Sequence, residues 1–158
     1  MLLLNYSNEP VKTYGRSVFL AGPTPRSKDV KSWRPEAIGY FREFGFDGTL
    51  YIPEHSDGSK NIDKPKQYAW EWEALDKATV ILFWIPRNRE TMLGLTTNNE
   101  MGYYGSMKKA IYGRPNDAWS ISYQDAWYRR FHGIDAPIYT DLKTMCEYIA
   151  KNPFVCIF

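Results

Sequence analysis

Thr79-Val-Ile-Leu-Phe-Trp-Ile85 is the stretch on which the fold turns. It carries no charge and its apolar residues run continuously rather than alternating. A strand facing water on one side alternates in polarity; one buried on both faces does not, and such strands sit in the middle of parallel sheets. On its amino-terminal side, apolar positions Tyr68, Ala69, Trp72, Leu75 and Ala78 recur at near-helical spacing from Lys66 to Lys77, a helix packed on the sheet. A polar loop from His55 to Pro65 precedes it, and Thr49-Leu-Tyr-Ile52 with Pro53 reads as another strand. Earlier still, Ser32 or a neighbour caps a helix with Pro35 and Glu36 in its first turn and Ile38, Phe41 and Phe44 as its apolar stripe. Ser17-Val-Phe-Leu-Ala21, closed by Gly22-Pro23, is the first strand expected.

On the carboxyl-terminal side Pro86 to Glu90 is a loop. A helix then begins near Thr96 to Asn98 and runs through Glu100, Met101, Tyr104 and Met107 to Lys109. Ile111 to Gly113 opens a fourth strand, and Arg114 to Gly133 is rich in Trp and Tyr without a clear period. Pro137-Ile-Tyr139 is a short strand, and Asp141 caps a last helix through Leu142, Met145, Tyr148 and Ile149. Strands alternating with helices describe βαβ units, so the expected fold is α/β, a doubly wound parallel sheet of four to five strands flanked by helices. At 158 residues one domain, 1–158, is expected.

Composition narrows the function classes. Hydrophobic residues at 44% and charged residues at 24% belong to a globular chain, which excludes disorder and coiled coil. A formal charge of +2 with interspersed signs gives no field for a polyanion, so no nucleic-acid polymer is expected as partner. Aromatics reach 16%, which suits stacking against flat rings or burial at a subunit interface as well as a core. Cys146 and Cys156 have no metal spacing and read as reduced thiols; His55 and His132 fit no metal pattern, and no metal or organic cofactor is expected. Met1 to Leu4 is too short for a signal-peptide core and nothing approaches a membrane span, so the expected location is the cytoplasm, with no membrane partner.

In sheets of this kind ligands bind outside the carboxyl ends of the strands. That rule gathers Gly22, Pro23, Glu54, Trp84, Pro86, Thr97, Asn98 and Glu100 around one crevice. Glu100 would project into it from the first turn of its helix, held ionised by Asn98, Asn99 and the helix dipole. Glu71, one helix earlier between Trp70 and Trp72, would share the crevice. Two carboxylates flanking a substrate are what glycosyl transfer needs, one attacking the anomeric carbon while the other handles hydroxyls or the leaving group. Trp33, Trp70 and Trp84 are candidates for a flat wall against a ring, with ordinary core as the competing role for Trp84. Two roles stay open for Arg34, substrate binding or pairing with Glu36 or Glu54. Two also stay open for the turn Thr24 to Lys28, a 5′-phosphate site or an exposed loop.

Taken in order, Val18-Phe-Leu-Ala-Gly-Pro23, Trp33-Arg-Pro-Glu36, Pro53-Glu54, Trp70-Glu71, Val80-Ile-Leu-Phe-Trp84 and Leu95-Thr-Thr-Asn-Asn-Glu-Met-Gly102 resemble the nucleoside 2-deoxyribosyltransferase family, in its deoxyribosyltransferase-like branch. The resemblance spans roughly residues 17 to 113. It implies a flavodoxin-like fold and exchange or cleavage of an N-glycosidic bond through a covalent glycosyl-enzyme, with a nucleoside or nucleotide and a free base as partners. It puts the nucleophile at Glu100, followed by Gly102, and the sugar-contacting carboxylate at Glu71. The family's aspartate upstream of the nucleophile has no match, because Thr96-Thr97-Asn98 occupy that stretch. A homo-oligomer is expected, with Trp119 to Phe131 as its interface.

Overall fold

The computed structural model describes residues 1–60 and 62–153. Its centre is a five-stranded sheet built from β1 (Leu2–Tyr6), β2 (Arg16–Ala21), β3 (Gly48–Ile52), β4 (Val80–Trp84) and β5 (Ala110–Gly113). The spatial order is β1-β3-β2-β4-β5 and every pairing is parallel. Five helices accompany the strands: α1 (Arg34–Glu43), α2 (Lys64–Lys77), α3 (Leu95–Tyr104), α4 (Ser122–His132) and α5 (Leu142–Lys151). Side chains of α1 and α5 pack with Val18, Leu20, Leu50, Val80 and Leu82 on one face of the sheet. Those of α2, α3 and α4 pack with Phe19, Tyr51, Ile81, Phe83 and Tyr112 on the other. The sheet is therefore doubly wound in the flavodoxin-like manner, and all five residues of β4 are buried, as its continuous apolar run requires.

β1 precedes the strand at Ser17 that was the first one expected. It is an edge strand, half-buried along most of its length, so it needs only the short run Leu2 to Leu4. Asn5 is its anchor: the buried amide donates to Pro10 O at 3.0 Å and accepts from Lys12 N at 2.9 Å. The chain then returns across β3, where Tyr14 N donates to Thr49 Oγ1 at 2.7 Å and the Thr49 hydroxyl donates back to Tyr14 O at 2.8 Å.

Other departures have similar physical causes. α4 lies inside the segment that showed no period, because only Tyr128 of its aromatics is buried while Tyr123 and Phe131 face solvent. The buried stripe of α2 is Gln67, Trp70, Ala74 and Leu75; Tyr68 and Trp72, expected on the sheet, are exposed. Trp33, the neighbour of Ser32, stands at the cap position of α1, whereas the segment at Pro137 contributes a single bridge, Gly113 to Tyr139, rather than a strand. Asp63 caps α2 through Lys66 N, and Asp141 caps α5 through Thr144 N at 2.8 Å. Cys146 is buried, and Cys156 lies outside the described residues. No helix among the described residues is long and apolar enough to cross a membrane.

Candidate active site

The strand order reverses between β2 and β4, and the crevice beyond their carboxyl ends is where the chemistry-bearing side chains gather. β2 leaves the sheet through Gly22, whose φ of 154° and contacts admit no other residue: a Cβ there would lie 2.1 Å from Trp84 O and 2.8 Å from the Trp33 ring. Gly22→Ala is accordingly expected to lower the melting temperature by about 5 °C or more, since backbone at the heart of the crevice must shift; a change within 1–2 °C in thermal denaturation would contradict this.

Arg34, the second group at this edge, is only 1% exposed. Its guanidinium donates to Leu20 O at 3.0 Å, Gly22 O at 2.6 Å, Thr24 Oγ1 at 3.0 Å and Glu54 Oε1 at 2.7 Å, and it lies 4.9 Å from the Trp33 ring centre. Of the roles left open for it, pairing with Glu54 is the one observed. Ser32 Oγ donates to the same Glu54 oxygen at 2.7 Å, and Trp33 Nε1 donates to Pro23 O at 3.1 Å. This network ties the ends of β2 and β3 to the start of α1. In the turn from Gly22, Thr24 is held by Arg34 while Arg26, Ser27 and Lys28 face solvent.

Glu71 and Glu100 meet on the α2–α3 side of the crevice. Gln67 Nε2 donates to Glu71 Oε1 at 2.6 Å, orienting that carboxyl, whereas Glu100 accepts no hydrogen bond among the described residues. Burial pushes the Glu100 carboxyl up to about 8, the negative charge of Glu71 pushes it the same way, and the positive Arg34 opposes both. The Glu71 carboxyl is also raised, first by burial, against the Gln67 hydrogen bond and the charges of Arg34 and Lys64. The charge on Glu71 thus adds to the cost of ionising Glu100.

This corrects the expectation that the helix terminus holds Glu100 ionised. α3 begins at Leu95 behind a left-handed Gly94, so Glu100 sits in the second turn, beyond the reach of the terminal N–H groups. Nor does Asn98 turn its amide oxygen to Glu100: that oxygen accepts from Arg87 Nη2 and from Gln124 Nε2, the latter at 3.0 Å. Asn99 is exposed.

The remaining candidates divide. Thr97 is buried and Pro86 half-buried at the rim. Trp33 and Trp84 pack in the core beneath α1, and Trp70 packs on the other face with ring centres 6.3 Å from both Phe19 and Tyr51. All three indoles are nine-tenths buried, so as walls they would present edges rather than faces. His132 takes a structural bond at 2.8 Å to Gly105 O, and His55 one at 2.9 Å to Ser59. Sequence reasoning missed Gln67, which positions Glu71, and Arg87, which is buried just past the end of β4. A polar residue at i−4 from a candidate acid was the signal for the first.

Comparison with known proteins adds one finding to this geometry. The family model described as nucleoside 2-deoxyribosyltransferase like matches residues 15–118, a stretch that contains β2 through β5 and Glu54, Glu71 and Glu100. No curated protein matches the chain.

Proposed function

Because the chain belongs to the nucleoside 2-deoxyribosyltransferase-like family, we propose that it cleaves or exchanges the N-glycosidic bond of a nucleoside or nucleotide through a covalent glycosyl-Glu100 intermediate. The observation that carries this reading is the pair Glu71 and Glu100, with no hydrogen bond to Glu100 among the described residues, in the crevice where the strand order reverses.

The chemistry follows from charge. As the bond from C1′ to the base nitrogen breaks, its electron pair leaves with the base and C1′ gains oxocarbenium character. Ionised Glu100 stabilises that cation and then closes on C1′ as an ester. A nitrogen lone pair of an incoming base reopens the ester and completes exchange; water in its place completes hydrolysis. Glu71, whose carboxyl burial raises, holds a ring hydroxyl or, in its protonated form, passes its proton toward the departing base. Asn98 is no acid, and its oxygen is already taken, so leaving-group protonation falls to Glu71 or water.

The test is a panel of deoxynucleosides, ribonucleosides and their monophosphates, with and without free base, followed by chromatography for base release. Intact mass after acid quench reads the glycosyl adduct. Base release with an adduct that disappears in Glu100→Gln supports the reading. A panel on which nothing is turned over, although members bind, would instead leave a nucleotide-binding module on the same fold.

The charge coupling gives this activity a pH signature. Because the nucleophile must be ionised and its folded-state value is about 8, kcat/KM is expected to climb as pH rises through that value. Glu71→Gln removes a like charge and should move that limb down by roughly one pH unit, whatever it does to the plateau. A limb that does not move in Glu71→Gln would mean that the two acids are not coupled.

Self-association is part of the same proposal. Tyr68, Trp72, Leu95, Tyr103, Trp119, Phe131 and Ile134 are all exposed along the α2, α3 and α4 side. Sedimentation at micromolar concentration is expected to show more than a monomer.

A further inference from the structure

Across α3 from Glu100 lies a second crevice, between α3 and α4. It has a volume of about 360 Å³ and is lined by Asn98, Met101, Gly102, Tyr123, Gln124 and Trp127. That volume is at the small end of the range for ligand pockets, about 300–1,000 Å³. Tyr123 and Trp127 stand one turn apart with near-parallel rings, 16° between planes and 6.3 Å between centres, so a flat ring laid against one runs parallel to the other. Gly102 leaves the helix side open: a Cβ there would meet nothing within 4 Å.

The polar end of this crevice is unsatisfied in a specific way. Asn98 Oδ1 takes bonds from Arg87 and Gln124, which fixes its amide with the nitrogen outward as a donor. Gln124 Oε1 is buried and accepts nothing. Behind both, Arg87 is 94% buried, donates otherwise only to Ser120 O at 3.1 Å, and leaves Nε buried without a partner. No ion pair joins it to a described carboxylate, so a buried positive charge backs the amide pair.

The geometry points to a second binding site here for a free planar lactam ring of nucleobase size. Its ring stacks on Tyr123 and Trp127, a carbonyl oxygen accepts from Asn98 Nδ2 near the Arg87 charge, and the adjacent ring N–H donates to Gln124 Oε1. Uracil and hypoxanthine present that carbonyl and N–H edge. Adenine has no carbonyl and is the discriminating control.

Binding is measured by calorimetry and by quenching of tryptophan fluorescence, with uracil, hypoxanthine and adenine. Uracil or hypoxanthine is expected to bind wild type at least tenfold more tightly than adenine. Gln124→Leu is expected to weaken that binding at least tenfold. Gly102→Leu, whose side chain enters open space in the crevice, is expected to block it with the melting temperature retained. Glu100→Gln is expected to bind as wild type does. No saturable binding of either oxo-base, or equal binding of adenine, overturns the proposal. Binding that survives Gly102→Leu but is lost in Glu100→Gln overturns it too, since the ring then sits in the catalytic crevice. None of these readouts needs turnover, so a panel without base release would sink the glycosyl-enzyme reading and leave this one standing.

Discussion

Glu100→Gln is expected to cut base release by at least about a thousandfold and, above neutral pH, to make the protein more stable. The first half follows from removing the carboxylate oxygen that the proposed mechanism uses to form the ester. The second follows from proton linkage. A carboxyl whose folded-state value is raised from 4.5 to about 8 binds its proton more tightly in the native state. Its stabilising contribution is therefore complete below about pH 4.5 and is lost as pH rises through about 8. At pH 9 the native state carries a buried charge that the unfolded chain would leave in water. The ceiling on that penalty is about 4–5 kcal/mol at 1.36 kcal/mol for each pH unit, and solvent in the open crevice is expected to reduce it to roughly half. A neutral amide of the same shape escapes it. Thermal melts should show Glu100→Gln above wild type by about 4–8 °C at pH 9 and level with it at pH 5. A variant that loses activity without this pH-dependent gain would mean that Glu100 is better solvated than its surroundings indicate.

Arg34→Met should be the most damaging single change to stability, by about 3–5 kcal/mol. The substitution removes four hydrogen bonds and strands Glu54, Leu20 O and Gly22 O where water does not replace the lost partner. Much of the loss belongs to the uncompensated Glu54 carboxylate, so Arg34→Met combined with Glu54→Gln should recover about 1–2 kcal/mol. Chemical denaturation of the three variants measures both numbers. Arg34 also opposes the rise at Glu100, so Arg34→Met, wherever it still folds, should have its activity limb displaced further toward alkaline pH. A loss below 1 kcal/mol would show that the guanidinium is free for substrate.

The parts of this molecule that could be read from its residues are those where one physical requirement dominates. β4 must be apolar on both faces, and Thr79 to Ile85 says so; Asp141 and its helix announce themselves through a cap. β1 and α4 obey weaker demands. An edge strand needs little apolar length, and a helix with most of its aromatics outward buries too little to betray which face is inside. In α2 the buried stripe includes a polar Gln67, so the spacing of Tyr68 and Trp72 with Leu75 tilted the expected face away from the one that is buried. Within the candidate site, the rule about strand ends brought Glu71 and Glu100 to one crevice, but not their state of charge. That depended on where α3 starts, which a left-handed Gly94 sets six residues before Glu100. Arg87 gave no signal at all, because an arginine in a loop reads as solvated until the fold covers it.

β1 pairs with β3 alone, and β3 is synthesised long after it. During synthesis, then, Leu2 to Tyr6 has no docking strand until residue 52 is available, and in the finished protein it is the lid on a sheet edge that would otherwise present bare N–H and C=O groups beside Leu50 and Tyr51. A chain begun at Gly15 would keep the family-matched residues and both acids yet expose that edge to the same edge of another copy. β1 thus moves the free edge of the sheet from the fully buried β3 to a half-buried strand, and its removal is expected to cost solubility first.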